Sequence, residues 1–257
     1  MLLVSGATRT LWRYENPAKL GLLVVPRAGN SPRWLMSTSM YWAADNGAFS
    51  KFDAHLYERM LQQWADVPRC LFVTLPDVVG NAADTLRLWD LWYPMVSLPR
   101  KAFVAQDGSE DVEPPWTQMT ALFIGGTTDF KMSLAAGELI AEARHRGKWV
   151  HVGRVNSFQR LSHFHDLGVD SVDGSSMSMY PDTYIPRFME HLNAEDRQSK
   201  LFTPETGALE VLGGCSSGCD SLAGAKGGPD GVGNSDDGLD EGTASQDRTG
   251  QDKLGSV

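Results

Sequence analysis

Eight short runs of mostly apolar residues recur along the chain, at 2–5, 20–26, 41–45, 71–77, 102–107, 121–125, 149–153 and 169–173, and most of them end in Gly, Asp or Pro. They show little polar alternation, the pattern of parallel strands covered on both faces. Several of the gaps between them switch to helical spacing. Residues 54–65 place Leu56, Met60, Leu61 and Trp64 on one face, and 82–95 do the same with Leu86, Leu88, Trp89 and Trp92. A third pattern covers 133–146 and stops at Gly147, a fourth runs from Ser157 as N-cap to Gly168, and a fifth covers 184–192. The first two gaps are poor in helix and rich in Pro and Gly, so that part of the ring is expected to be irregular. Strand–helix alternation repeated this often predicts an α/β fold, a compact (β/α)8 TIM barrel. A doubly wound sheet is the alternative.

The composition divides the chain in two. From Asp196 onward it turns polar, and 213–257 is mostly Gly, Ser and Asp. Such a segment lacks the apolar surface to offset its ordering entropy, so 196–257 is expected to be a disordered acidic C-terminal tail behind a barrel domain of residues 1–195. Asp196 to the end carries 5 Lys+Arg against 11 Asp+Glu, which leaves 18 and 21 for the preceding residues. Phosphate contacts dominate nucleic-acid affinity, so the lack of a basic surplus counts against a simple binding module but not against an enzyme with a local basic rim. Cys70 opens an apolar run and reads as a buried thiol. Cys215 and Cys219 lie in the tail with no His or further Cys nearby, which argues against a structural zinc site. No signal peptide is apparent and no apolar stretch reaches the roughly 18 residues of a membrane span, so a soluble, cytoplasmic protein is expected.

In a (β/α)8 barrel the chemistry sits where strands end. Here the ends read Asp45-Asn46-Gly47-Ala48-Phe49, Thr74-Leu75-Pro76-Asp77, Ala105-Gln106-Asp107-Gly108, Gly125-Gly126-Thr127, Gly153-Arg154-Val155-Asn156 and Val172-Asp173-Gly174-Ser175-Ser176. Each alone has a plainer explanation: an Asp or Asn after a strand is commonly a cap or turn residue, Gly-Gly a tight turn, Phe49 core. Together they describe a pocket for a flat, hydrogen-bonding ligand. Carboxylates and amides match a purine's edges, glycines let backbone amides approach, and a Phe ring stacks. Several acidic strand ends around one cavity would repel each other without a ligand to accommodate.

The motifs at these ends resemble those of the guanine transglycosylases. Asp45-Asn46-Gly47-Ala48-Phe49 is similar to the Asp-Ser-Gly-Gly-Phe of tRNA-guanine transglycosylases, Gln106-Asp107-Gly108 to their Gln-Gly-Gly, and Gly125-Gly126 to their Gly-Gly-Leu. The segment from Gly168 to Asp173 resembles the Gly-Val-Asp-x-Phe-Asp that carries their nucleophile. The order holds over residues 40–176, and the compactness and the segment 151–157 look most like the phage branch that inserts 7-deazaguanines into DNA. The resemblance implies Asp173 as covalent nucleophile and Asp45 as the acid/base serving the leaving and incoming bases. It further implies Phe49 stacking on the base, Asp77 and Gln106 reading its edge, and the Gly125 and Gly126 amides binding its carbonyl. Asn46 stands where the family has Ser, a change expected to alter what the base pocket accepts.

The family's zinc-binding Cys/His cluster has no counterpart after Asp173, so tRNA is the less expected substrate, and neither metal nor organic cofactor is expected. A 7-deazaguanine such as preQ0 is the co-substrate the resemblance implies, and DNA the macromolecular partner. Barrels of this family often dimerise, so a homodimer is one open state. Arg154, Asn156 and Arg160 follow the seventh strand and open a helix, a place suited to a phosphate. Lys131, His151 and Arg187 are further rim candidates. The alternatives are a tRNA-guanine transglycosylase and an inactive nucleobase- or nucleic-acid-binding barrel, which the presence of both Asp45 and Asp173 disfavours. An aldolase-like barrel would want a Lys at a strand end, and none of these ends has one.

Overall fold

A computed structural model describes residues 1–14 and 16–202, with side chains to 197. The expected tail, with Cys215 and Cys219, lies outside the described residues from 203 onward. Eight parallel strands close into a barrel in sequence order: β1 Leu2–Ser5, β2 Leu20–Val24, β3 Tyr41–Ala44, β4 Cys70–Thr74, β5 Lys101–Ala105, β6 Ala121–Ile124, β7 Trp149–Val152 and β8 Ser171–Asp173. The chain is therefore a (β/α)8 TIM barrel, and the doubly wound alternative is set aside by the β1–β8 pairing, in which Val4 stands opposite Asp173.

The apolar runs lack alternation because each strand is buried twice. Leu3, Leu22, Trp42, Phe103, Leu122 and Val172 face outward into a cluster shared with helix residues such as Leu11, Trp64, Trp89, Ile140 and Leu161. Their neighbours Val4, Leu23, Ala43, Phe72, Val104 and Phe123 form a second cluster without any helix residue, and this fills the barrel. At about 25 cal/mol per Å2 of apolar surface, these two layers supply the main favourable term in folding.

The anticipated helices are present: α3 Ala54–Trp64, α4 Ala82–Trp92, α6 Leu134–His145 and α7 Phe158–Asp166. Their N-caps Asp53, Asn81, Ser133 and Ser157 each accept a backbone N–H of the first turn, and Gly147 and Gly168 follow α6 and α7 at positive φ. The expectation of an early ring poor in helix is corrected. Helix α1, Thr8–Tyr14, and α2, Pro32–Met36, fill the first two gaps. Each buries a single large apolar side chain, Leu11 or Leu35, too little to show a 3.6-residue period. After β5 only a 3-10 turn, Ser109–Asp111, is present, and Trp116 and Met119 cover that side of the barrel. Two short helices, α5 Thr128–Lys131 and α8 Ser175–Met179, follow β6 and β8. The last helix, α9 Pro181–Phe202, starts before residue 184 and continues past the expected boundary at Glu195. Among the described residues no helix is long and apolar enough to cross a membrane.

Candidate active site

All strands point the same way, so the loops after their C-terminal ends meet at one mouth. Asp173, the last residue of β8, is held there by both oxygens: Oδ1 accepts the Arg154 N–H at 3.1 Å, and Oδ2 lies 2.9 Å from His151 Nε2. Asp45, just past β3, accepts the Gly47 N–H at 2.9 Å. Burial above all, then the negative charges of Asp173 and Asp77, push the Asp45 carboxyl up to about 7, against the Gly47 hydrogen bond. Two carboxylates thus share the mouth in different environments, one held by an imidazole and an amide, the other partly protonated near neutrality.

Asp77 is gripped by two amides. Asn46 Nδ2 donates to its Oδ1 at 2.7 Å and Gln106 Nε2 to its Oδ2 at 2.5 Å. Burial raises its pKa, and these two hydrogen bonds oppose the rise. Gln106, expected to read the base's edge, and Asn46, expected to shape the base pocket, both turn to Asp77 instead. Asn46, 1 % exposed, also donates to the Leu75 carbonyl and accepts the Ala48 N–H, while Gln106, 2 % exposed, accepts the Gly80 N–H. Both side chains are engaged with the protein, and together they brace Asp77.

Phe49 is 67 % exposed, as a stacking platform must be, but one face is covered: the Arg154 guanidinium carbon lies 4.0 Å from its ring centroid. Arg154 also donates to the Gly126 carbonyl at 2.6 Å. Its φ of 60°, rare for a residue with a side chain, turns its amide toward Asp173 while its guanidinium reaches across the mouth. The carbonyl-binding role expected of Gly125 is corrected, because its N–H donates to Ala105 at 2.9 Å and belongs to the barrel ladder. Gly125 and Gly126 are needed for closeness instead. A Cβ would meet Gln106 Nε2 at 2.8 Å from the first and Asp107 Oδ2 at 2.6 Å from the second. Asp107 in turn accepts the Thr127 amide and hydroxyl.

Asn156, expected to help hold a phosphate, is anchored through its side-chain oxygen. Its Oδ1 accepts from Ser176 N–H at 3.1 Å and from the Ser175 and Ser176 hydroxyls, which fixes the turn after Asp173. Arg160 stands in the first turn of α7, near enough for its charge to act on Lys131. Lys131, expected at the rim, is buried in α5 with Nζ donating to the Gly153 carbonyl at 3.0 Å. Burial first, then Arg154 and Arg160, bring its pKa down to about 8, with Asp173 and Asp107 opposing. His151 is likewise no rim residue; it is 0 % exposed inside the barrel. Arg187 lies on α9 against Phe158.

Sequence reasoning put His151 at the rim rather than inside the barrel, missed Ser171 altogether, and put Lys131 at the rim as well. A signal existed for the first two. In Ser171-Val172-Asp173 the polar residues share one strand face, and the β7–β8 register sets His151 beside Ser171. Lys131 gave none, since it lies in a helix beyond the strand end. Among the described residues no group of three or more His, Cys, Asp or Glu is arranged to hold a metal ion.

Comparison with protein-family models and with curated protein sequences gives no match. Among solved structures, a flavocytochrome b2 variant superposes with a TM-score of 0.50 at 14% identity, covering 78% of this chain. An HpcH/HpaI aldolase from Desulfitobacterium hafniense DCB-2 superposes at 0.41 and 10% identity, over 80% of this chain and 95% of the aldolase. The chain spans 64% of the flavocytochrome b2 chain. The likeness to flavocytochrome b2 is one of fold.

Proposed function

We propose that the protein is a pentosyltransferase that exchanges guanine in DNA for a 7-deazaguanine, with Asp173 attacking the sugar and Asp45 moving the proton. The observation that carries this reading is the pair of mouth carboxylates set apart by their surroundings. Asp173 is held as an acceptor by His151 and Arg154, and Asp45 is poised at about 7.

The steps balance without an external reagent. Asp173 Oδ1 bonds to C1′ of the deoxyribose as the bond to guanine N9 breaks, and protonated Asp45 supplies the proton the departing guanine needs. The covalent ester divides one hard displacement into two, and neighbouring carboxylates stabilise the oxocarbenium-like transition states. The incoming base then loses its N9 proton to Asp45, N9 attacks C1′, and the Asp173 ester is released. Acid–base help of this kind is worth roughly 10²–10⁴ in rate. A 7-deazaguanine has carbon at position 7 and cannot be protonated there to leave again, so exchange runs one way. In duplex DNA the target guanine must first be flipped out, at a few kcal/mol. Arg154 and Arg160 would supply positive charge for the flanking phosphates.

The test is base exchange. Purified protein is incubated with guanine-labelled duplex DNA, or with tRNA, plus 7-cyano- or 7-aminomethyl-7-deazaguanine, beside an Asp173→Ala control. Release from DNA, absent in the control, supports the proposal; release from tRNA alone makes it an RNA enzyme; no release with any base overturns it.

A further inference from the structure

A line of four side chains runs through the barrel interior to Asp173. Trp149 Nε1 donates to Ser171 Oγ at 2.9 Å, Ser171 Oγ lies 2.9 Å from His151 Nδ1, and His151 Nε2 lies 2.9 Å from Asp173 Oδ2. Directions follow from the donor inventory. An indole nitrogen only donates, so Ser171 Oγ is an acceptor toward Trp149 and its single proton is free for His151 Nδ1. A neutral imidazole that accepts at Nδ1 carries its proton on Nε2, where it meets the carboxylate. The other tautomer would set two lone pairs against each other at 2.9 Å. Phe123 and Phe72, with ring centroids 4.6 and 5.0 Å from that of His151, flank the imidazole. Ser171, at 0 % exposure, is sealed from any substrate, so this Ser, His and Asp do not form a serine-nucleophile triad.

We infer that His151, locked by Ser171 and Trp149, is the positioning residue of Asp173: its Nε2–H pins Oδ2 toward the barrel interior and leaves Oδ1, held only by the Arg154 amide, as the oxygen that attacks. This rests on the transglycosylase reading only for the word attack; the orientation and hydrogen bonding of Asp173 are independent of it. A fixed carboxylate plane decides which lone pair meets the sugar carbon.

Two substitutions separate positioning from packing. His151→Phe keeps an aromatic ring between Phe72 and Phe123 but removes the donor, and His151→Gln returns an amide N–H near the Nε2 position. Three readouts are taken on the full chain: ring 15N shifts of His151, the 13C shift of the Asp173 carboxyl (assigned by its loss in Asp173→Asn), and base exchange. The expected result is an Nε2-protonated His151. In His151→Phe the Asp173 carboxyl 13C signal moves as the Nε2–H bond is lost, and His151→Gln largely restores it. Exchange is expected to fall about 10²-fold in kcat, with KM for the base little changed, in His151→Phe and to recover in His151→Gln. A His151 protonated at Nδ1 alone, or an Asp173 carboxyl 13C signal unmoved in His151→Phe, overturns the inference. If the Phe variant does not fold, the wild-type 15N shifts decide, and Nδ1 protonation alone overturns it equally. The expected 15N and 13C results with no exchange on any base would uphold the positioning of Asp173 and sink the transglycosylase reading instead.

Discussion

The Arg154 guanidinium lies 4.0 Å from the centroid of the Phe49 ring, and the same side chain bonds the Gly126 carbonyl. A base that stacks on Phe49 must therefore use the opposite face or take the place of the guanidinium. In both cases the ring supplies the platform, and in the first Arg154 also fixes its tilt. Base–aromatic stacking is worth about 1–3 kcal/mol per base. Phe49→Ala is accordingly expected to raise KM for the free base about 10- to 100-fold with a smaller effect on kcat. Arg154→Lys, which keeps the charge but not the planar fork, should fail to restore an Arg154→Ala loss. Steady-state kinetics with base as the varied substrate check both. An unchanged KM in Phe49→Ala would remove Phe49 from the base site.

Asp45 makes a prediction in pH. Its carboxyl is displaced from 3.8 to about 7, chiefly by burial, so the folded state holds a proton that the unfolded chain gives up near pH 4. The contribution to stability is fully present below pH 4 and is lost as pH rises through 7, a difference of up to about 4 kcal/mol for a shift of this size. Asp45→Asn keeps an acceptor for the Gly47 N–H and removes the ionisation. The variant should match the wild type in denaturant unfolding at pH 4 and exceed it at pH 8–9. The two half-reactions should also part in pH. Guanine release needs protonated Asp45 and should decline above about 7, while base incorporation needs the carboxylate and should decline below it. Identical profiles for the two halves would mean that Asp45 does not carry the proton.

How far the sequence reaches is visible in these same residues. The barrel was readable because doubly buried strands leave unbroken apolar runs, as in Ala121–Ile124, and the caps at Asp53, Asn81, Ser133 and Ser157 mark helix starts. Helices α1 and α2 were not, since one buried leucine each makes no period. The site's composition was readable for the same reason that the mouth is: residues just past strand ends converge. The partner of each side chain was not. Gln106 looks like a base reader in sequence and Asn46 like part of the base pocket, and only the side-by-side pairing of β3, β4 and β5 shows that both reach Asp77. His151 looked like a rim residue because strand register, which carries it inside the barrel, depends on pairing between distant segments.

The amide–carboxylate–amide brace can be tested directly. Asn46→Ala removes donors to Leu75 and Asp77 and an acceptor for Ala48, all in a site 1 % exposed. Leaving such buried groups unpaired is expected to cost about 2–3 kcal/mol of stability. Asn46→Ser, with a hydroxyl able to serve one of these partners, should recover part of it. Thermal and urea unfolding give the stability. If the brace acts through Asp77, the choice among 7-substituted bases should change along with it. A variant as stable as the wild type would show that water replaces the Asn46 side chain at no cost.

Gly174, directly after Asp173, supplies the sharpest steric test. Its φ is −164°, extended backbone open to any residue, so conformational freedom does not explain the glycine. Space does: a Cβ would stand 2.4 Å from the Val155 carbonyl oxygen and 2.8 Å from Asn156 Oδ1. Both belong to the loop after β7, and the Val155 N–H donates to the Asp173 carbonyl at 2.6 Å, so two backbones cross here with no slack. Gly174→Ala must push the loop carrying Asp173 from the loop carrying Arg154. Overpacking of this kind is expected to destabilise by about 1–3 kcal/mol. A displacement near 1 Å at the nucleophile should lower exchange about 10²-fold. Gly137→Ala is the control, because Gly137 lies within α6 with nothing inside 4 Å of the added Cβ, and it should stabilise by about 0.5–1 kcal/mol with activity intact. Full activity in Gly174→Ala would show that the Asp173 and Arg154 loops can separate freely, and that the Arg154 amide does not set the position of Oδ1.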